Sequence, residues 1–65
     1  MITNDKPQVI IDYALPCMMA EKALKDSHNA VLEQDLDLAM TQAMEAVLQS
    51  RVLYTSLRHM KEQQQ

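Results

Sequence analysis

The sequence predicts an all-α fold, a helical hairpin in which a short first helix packs on a long second helix. We expect the hairpin to assemble as an antiparallel homodimeric four-helix bundle or a higher oligomer. The 65 residues include no glycine, on which β-hairpins and phosphate-binding loops depend for positive φ angles. A chain of this length buries only about 60% of its unfolded surface, so its core needs further stabilisation. Its single cysteine excludes a disulfide within the chain, which leaves association as the means.

The first part of the single expected domain is an N-terminal arm at 1–7, followed by a first helix at 8–27. Apolar residues keep helical phase along this helix at Ile10, Tyr13, Cys17, Ala20 and Leu24. Pro16 would remove a backbone hydrogen bond from a helix interior, so we expect a kink or a break near Pro16. The β-branched run at 9–11 also suits an extended arm, and residues 8–14 therefore stay open between helix and arm.

The second helix is expected at 30–61, where the chain contains neither proline nor glycine. The polar residues at 26–29 favour a turn and a helix cap before it. Acidic side chains near its start and basic side chains near its end suit the helix dipole. Residues 62–65 are expected to form a frayed tail.

Apolar and small residues recur along the second helix at alternating steps of four and three, the spacing of a coiled-coil seam. The candidate oligomer interface on this seam consists of Leu36, Ala39, Ala43, Ala46, Ser50, Leu53, Leu57 and Met60. The small residues in its middle would let another helix approach closely. A second apolar row flanks the seam and comprises Met40, Met44, Val47, Leu48 and Tyr54. We therefore expect the second helix to contact at least two neighbours.

The unequal helix lengths and the charges indicate how copies would pair. At about 1.5 Å per residue, the first helix would span roughly 30 Å and the second roughly 48 Å, so apolar side chains near the C-terminus stay uncovered. Antiparallel pairing would place Glu33 and Asp37 near Arg58 and Lys61 of a second copy. Parallel pairing would bring like charges together, so an antiparallel dimer of hairpins is expected.

Reactive residues are scarce, so we expect no catalytic site, no metal site and no cofactor. Cys17 has only His28 and His59 as candidate bases, and neither lies at a spacing that places it beside the thiol. One cysteine and two distant histidines also cannot furnish a closed zinc site. The acidic cluster at 33–37 lacks the glycine and the distal glutamate of a calcium loop, and we interpret it as a helix start that suits the dipole.

One basic patch near the C-terminus is a candidate for an anion or nucleotide contact, because arginine offers forked donors and tyrosine a stacking ring. This patch consists of Arg51, Tyr54, Thr55, Arg58 and Lys61. The competing interpretation buries Tyr54 in the oligomer interface and pairs the arginines with acidic residues of another copy.

These observations predict a small homo-oligomeric interaction protein, an adaptor, inhibitor or regulator that binds another macromolecule and is not an enzyme. The expected partners are a second copy of this chain and another protein, and the alternative is phosphate recognition of RNA or a small nucleotide. No run of 18 apolar residues occurs, so no membrane partner is expected. The N-terminus lacks a basic start followed by an apolar run, so the expected location is cytoplasmic.

Overall fold

A computed structural model describes residues 12–64 of the protein as two helices joined by a three-residue turn. Helix α1 spans Ala14–Leu32 and helix α2 spans Leu36–Gln63, and the two pack against each other. The predicted all-α class and the hairpin are confirmed. The arm expected at 1–7, the residues 8–11 and the last residue of the tail lie outside the described residues.

Helix α1 begins just before Pro16 because Asp12 satisfies the backbone donors of its first turn. The Asp12 Oδ1 atom accepts hydrogen bonds from the backbone N–H groups of Ala14 at 3.0 Å and Leu15 at 3.1 Å. Pro16 is the third helical residue, where a backbone N–H would have no partner within the helix. Its ring therefore removes no helical hydrogen bond there, and it is buried against α2.

The turn lies at 33–35, so the predicted end of the first helix at 27 and start of the second at 30 are wrong. The polar residues at 26–29, which suggested a cap, are helical. Ser27 is inside α1, and its Oγ donates a 2.8 Å hydrogen bond to the carbonyl of Ala39 in α2. Its hydroxyl thus joins the two helices and does not end one of them. At the other end α2 continues to Gln63, two residues beyond the predicted end.

The turn ends one helix and starts the next without glycine. Gln34 adopts a left-handed conformation with φ 62°. Its N–H donates to the Val31 carbonyl at 2.9 Å, and the Asp35 N–H donates to the Ala30 carbonyl at 2.9 Å, which is the hydrogen-bond pattern of a Schellman motif. The Asp35 Oδ1 atom then accepts from the Leu38 N–H at 3.0 Å and caps α2.

Replacing Gln34 by glycine is expected to stabilise the hairpin. A side chain in the left-handed region costs about 1–2 kcal/mol, and the greater freedom of unfolded glycine offsets about half of that gain. We expect the free energy of unfolding to rise by about 0.5–1 kcal/mol, measured by urea denaturation at fixed protein concentration. The same change inside α2, Gln42→Gly, is the control and should lower stability by about 1 kcal/mol. A lower urea midpoint for Gln34→Gly would contradict the turn geometry.

The buried side chains between α1 and α2 are small. They are Pro16, Ala20, Ala23 and Ala30 of α1 and Ala39 and Ala46 of α2. Among residues 12–64 no large side chain is fully buried. One methyl group contributes about 0.8 kcal/mol on burial, whereas a large aliphatic side chain contributes about 1.5–3 kcal/mol. The hairpin therefore gains little from its own interior.

Candidate functional site

The large hydrophobic side chains lie on the outside of the hairpin. Sixteen of them are exposed among the described residues, with exposed fractions from 42% at Met19 to 70% at Met40. Single exposed apolar residues are common on soluble proteins. Here, however, the interior holds methyl groups while leucine, methionine, valine and tyrosine face outward, which is the reverse of a self-sufficient core.

One face of the hairpin carries an open groove between the two helices, with a volume of about 610 Å³. Leu24 contributes to it from α1, and seven residues contribute from α2. These are Ala43, Ala46, Val47, Ser50, Arg51, Tyr54 and Thr55. Because Ala46 is also buried against α1, the groove runs directly beside the alanine interface.

The same face continues along α2 in a row of residues spaced alternately by four and three. This outer row consists of Leu36, Met40, Ala43, Val47, Ser50, Tyr54 and Leu57. Its large members are well exposed, at 63% for Leu36, 49% for Val47 and 64% for Tyr54. The spacing is that of a coiled-coil seam, and within the described residues this seam has no helix against it.

The opposite face of the hairpin is more polar. A small groove there, of about 100 Å³, is lined by Met19, Lys22, Ala23, Asp26, Gln42 and Glu45. Lys22 Nζ lies 2.8 Å from Asp26 Oδ2, and this hydrogen bond and the attraction of the carboxylate raise the pKa of Lys22 above its ordinary value of 10.5. Gln49 Nε2 donates to Glu45 Oε2 at 2.9 Å. These pairs are satisfied in the hairpin and suit a face that stays in water.

The predicted oligomer interface is divided between two surfaces of α2. Ala39 and Ala46 are buried against α1 inside the hairpin, so they are not free for a second chain. Leu53 and Met60 are half-buried at positions that continue this inner row. The other four predicted residues belong to the outer row: Leu36, Ala43, Ser50 and Leu57. These four are the exposed members of the predicted set.

The predicted anion patch is brought together in part. Arg51, Tyr54 and Thr55 share the large groove, and Arg51 and Thr55 also border a shallow groove of about 550 Å³ with Val52, Ser56 and His59. Arg58 instead lies 3.6 Å from Glu62, in an ion pair of two exposed side chains. Lys61 is exposed and lines neither groove. Leu24 was not among the predicted site residues, although its helical phase with Tyr13 and Cys17 pointed to this edge of α1.

The described residues offer little for metal binding or membrane crossing. Cys17 is a free, half-buried thiol. Over residues 12–64, no three histidine, cysteine, aspartate or glutamate side chains lie close enough together to hold a metal ion. In the same part of the chain, neither helix has both the length and the apolar character needed to span a bilayer.

The exposed apolar face is thus the most prominent feature of the described structure. Comparison of the chain with protein-family models, with curated proteins and with solved structures gives no match in any of the three.

Proposed function

We propose that this protein is a small helical interaction protein that assembles with copies of itself and acts by binding another macromolecule. The observation that carries the proposal is the contrast between an alanine interior and sixteen exposed large hydrophobic side chains. Packed proteins normally place such side chains against one another. Five of the sixteen, Leu36, Met40, Val47, Tyr54 and Leu57, share the outer row, and an exposed apolar row of this kind is typical of an interaction site.

The geometry of the hairpin supports self-association. Two helices side by side form one layer, and a stable domain requires a second layer over its apolar face. Helix α2 has 28 residues and α1 has 19, so at about 1.5 Å per residue α2 is about 14 Å longer. A second hairpin supplies both a covering layer and a neighbour for the projecting end of α2. We therefore propose a homo-oligomer of hairpins, with an antiparallel dimer as its unit.

Phosphate recognition is the second candidate function, and the shared groove of Arg51, Tyr54 and Thr55 is the observation in its favour. The groove is otherwise lined by aliphatic and small side chains, and neither Arg58 nor Lys61 lines it. A surface of this composition suits another apolar surface better than a phosphate. A labelled single-stranded RNA that binds the protein with unchanged affinity after Arg51→Ala would remove this candidate.

The proposed assembly is tested by light scattering of the full chain over a concentration series, with circular dichroism on the same samples. We expect a helical protein whose mass is a fixed multiple of 7.4 kDa at micromolar concentration. Leu57→Glu should lower the mass because Leu57 belongs to the outer row and is 45% exposed. Leu38→Glu is the matched control: Leu38 is 42% exposed on the same helix but lies outside that row.

A helical monomer of wild-type protein at these concentrations would refute the homo-oligomer. A Leu57→Glu variant with the mass of wild type would show that the outer row takes no part in the assembly. Either result would also free the groove for a different macromolecule.

A further inference from the structure

We infer that the outer row is self-complementary, so that the α2 helices of two copies pack antiparallel about a twofold axis between Leu48 and Gln49. This inference rests on the proposed homo-oligomer and adds the surface, the orientation and the register. In this arrangement the six residues of the row from Met40 to Leu57 face one another in pairs whose numbers sum to 97, and Leu36 at each end faces Lys61 of the second copy. The occupant of the apolar groove is therefore a second copy of this chain.

The first support is the alternation of large and small side chains. With this axis, Tyr54 faces Ala43 of the second copy and Val47 faces Ser50 of the second copy, each pair occurring twice by symmetry. Met40 then faces Leu57 of the second copy. Large side chains opposite small ones let two helices interdigitate closely, as the side chains of packed cores do.

The second support is the charge along one edge of the row. Asp37 directly follows Leu36, and Arg58 directly follows Leu57, so both lie on the edge of the row that points away from α1. When two such rows pack antiparallel about the inferred axis, Asp37 comes beside Arg58 of the second copy. Residues that flank a coiled-coil seam in this way determine partner choice and orientation. In a parallel arrangement the two copies of this edge would lie on opposite sides of the contact, so Asp37 and Arg58 would form no pair between copies.

The third support is that α1 borders the same face and adds apolar surface to it. Leu24 lines the groove beside Val47, and Val31, which is 48% exposed, recurs seven residues later on the same side of α1. A second hairpin laid on the outer row would cover these side chains as well. The polar groove of Lys22, Asp26, Gln42 and Glu45 would remain on the outside of the resulting four-helix bundle.

The surface is tested by Val47→Glu against Val52→Glu, measured by sedimentation equilibrium of the full chain. The two valines lie on the same helix with exposed fractions of 49% and 51%, but only Val47 belongs to the outer row. We expect Val47→Glu to raise the dimer Kd by about a hundredfold or more, because it buries a charge in an apolar contact. Val52→Glu should change the Kd by less than about threefold.

The register is tested by charge reversal at low salt, where exposed charges interact most strongly. Asp37→Lys should raise the Kd by about tenfold, and Asp37→Lys with Arg58→Asp should restore it to within about threefold of wild type. The second reversal does not repair the loss of a favourable charge at the start of α2, so recovery reports the contact between copies. Glu45→Lys, on the polar face, is the control for the loss of one negative charge.

The outcomes separate the inference from the function on which it rests. A monomeric wild type overturns both. An oligomer that dissociates equally with both valine variants, or with neither, overturns only the surface. A shift of the pairing by one heptad would bring Asp37 beside Arg51 of the second copy. If Arg51→Asp, and not Arg58→Asp, restores the Kd of the Asp37→Lys variant, only the register is overturned.

Discussion

Ala23→Leu is expected to lower the free energy of unfolding by about 2 kcal/mol or more, since overfilling a close-packed site typically costs about 1–3 kcal/mol. Ala23 is 3% exposed at an interface whose other buried side chains are alanines and one proline, so we expect a leucine there to force α1 and α2 apart. For a domain of this size, each kcal/mol corresponds to a shift of about 4–8 °C in the thermal midpoint. The measurement is thermal unfolding followed by circular dichroism at one protein concentration.

The control for this substitution is Ala14→Leu, the same chemical change at an exposed position of the same helix. We expect its midpoint to stay within a few degrees of wild type, since surface substitutions usually change stability by less than about 0.5 kcal/mol. If both variants melted together, the two helices would not be in the close contact that the alanines define.

The thermal midpoint of wild-type protein is expected to rise with protein concentration. When folding is linked to dimer formation, a tenfold change in protein concentration changes the free energy of unfolding by about 1.4 kcal/mol per dimer. For chains of this length, that change shifts the thermal midpoint by about 5 °C. A hundredfold dilution should therefore lower the midpoint by about 10 °C. We expect folding and association to be linked because the alanine interior leaves most of the apolar burial to the contact between copies.

Gln34→Gly is the comparison for the dilution series, since its glycine acts at the turn within one hairpin. Its midpoint should be higher at every concentration, while the slope against concentration stays that of wild type. A midpoint that does not change on dilution would mean that one hairpin folds by itself and that the exposed apolar face serves some other contact.

The fold class could be predicted from the sequence because helix propensity and apolar spacing act locally. The chain has no glycine and a long stretch without proline, and those two facts leave few alternatives to paired helices. The position of the turn could not be predicted in the same way. Asp26, Ser27 and Asn29 are residue types that often cap helices, yet all three lie inside α1. Glutamine is not a residue type that signals a left-handed conformation, so the sequence does not mark the turn at Gln34.

The residues that face α1 could not be separated from the outer row by sequence alone, because α2 carries two seams that overlap in sequence. The row that faces α1 includes Gln42 and Gln49, which are half-buried, so an apolar pattern alone could not identify it. Alanines at 39 and 46 make that row so narrow that glutamine side chains can lie along its edges. The sequence pattern merged this row with the outer row, and only the direction of α1 in the folded hairpin separates them.

The bond from Ser27 to the Ala39 carbonyl has a mechanical consequence for the hairpin. Methyl groups form shallow ridges, so an alanine interface gives little resistance when one helix slides along or rotates against the other. Near the turn, this hydroxyl and the hydrogen bonds of the turn residues Gln34 and Asp35 hold the two helices at a fixed axial position. Toward the start of α1, the described contacts include no comparable polar link between the helices, so we expect stiffness to decrease along the hairpin from the turn to its open end.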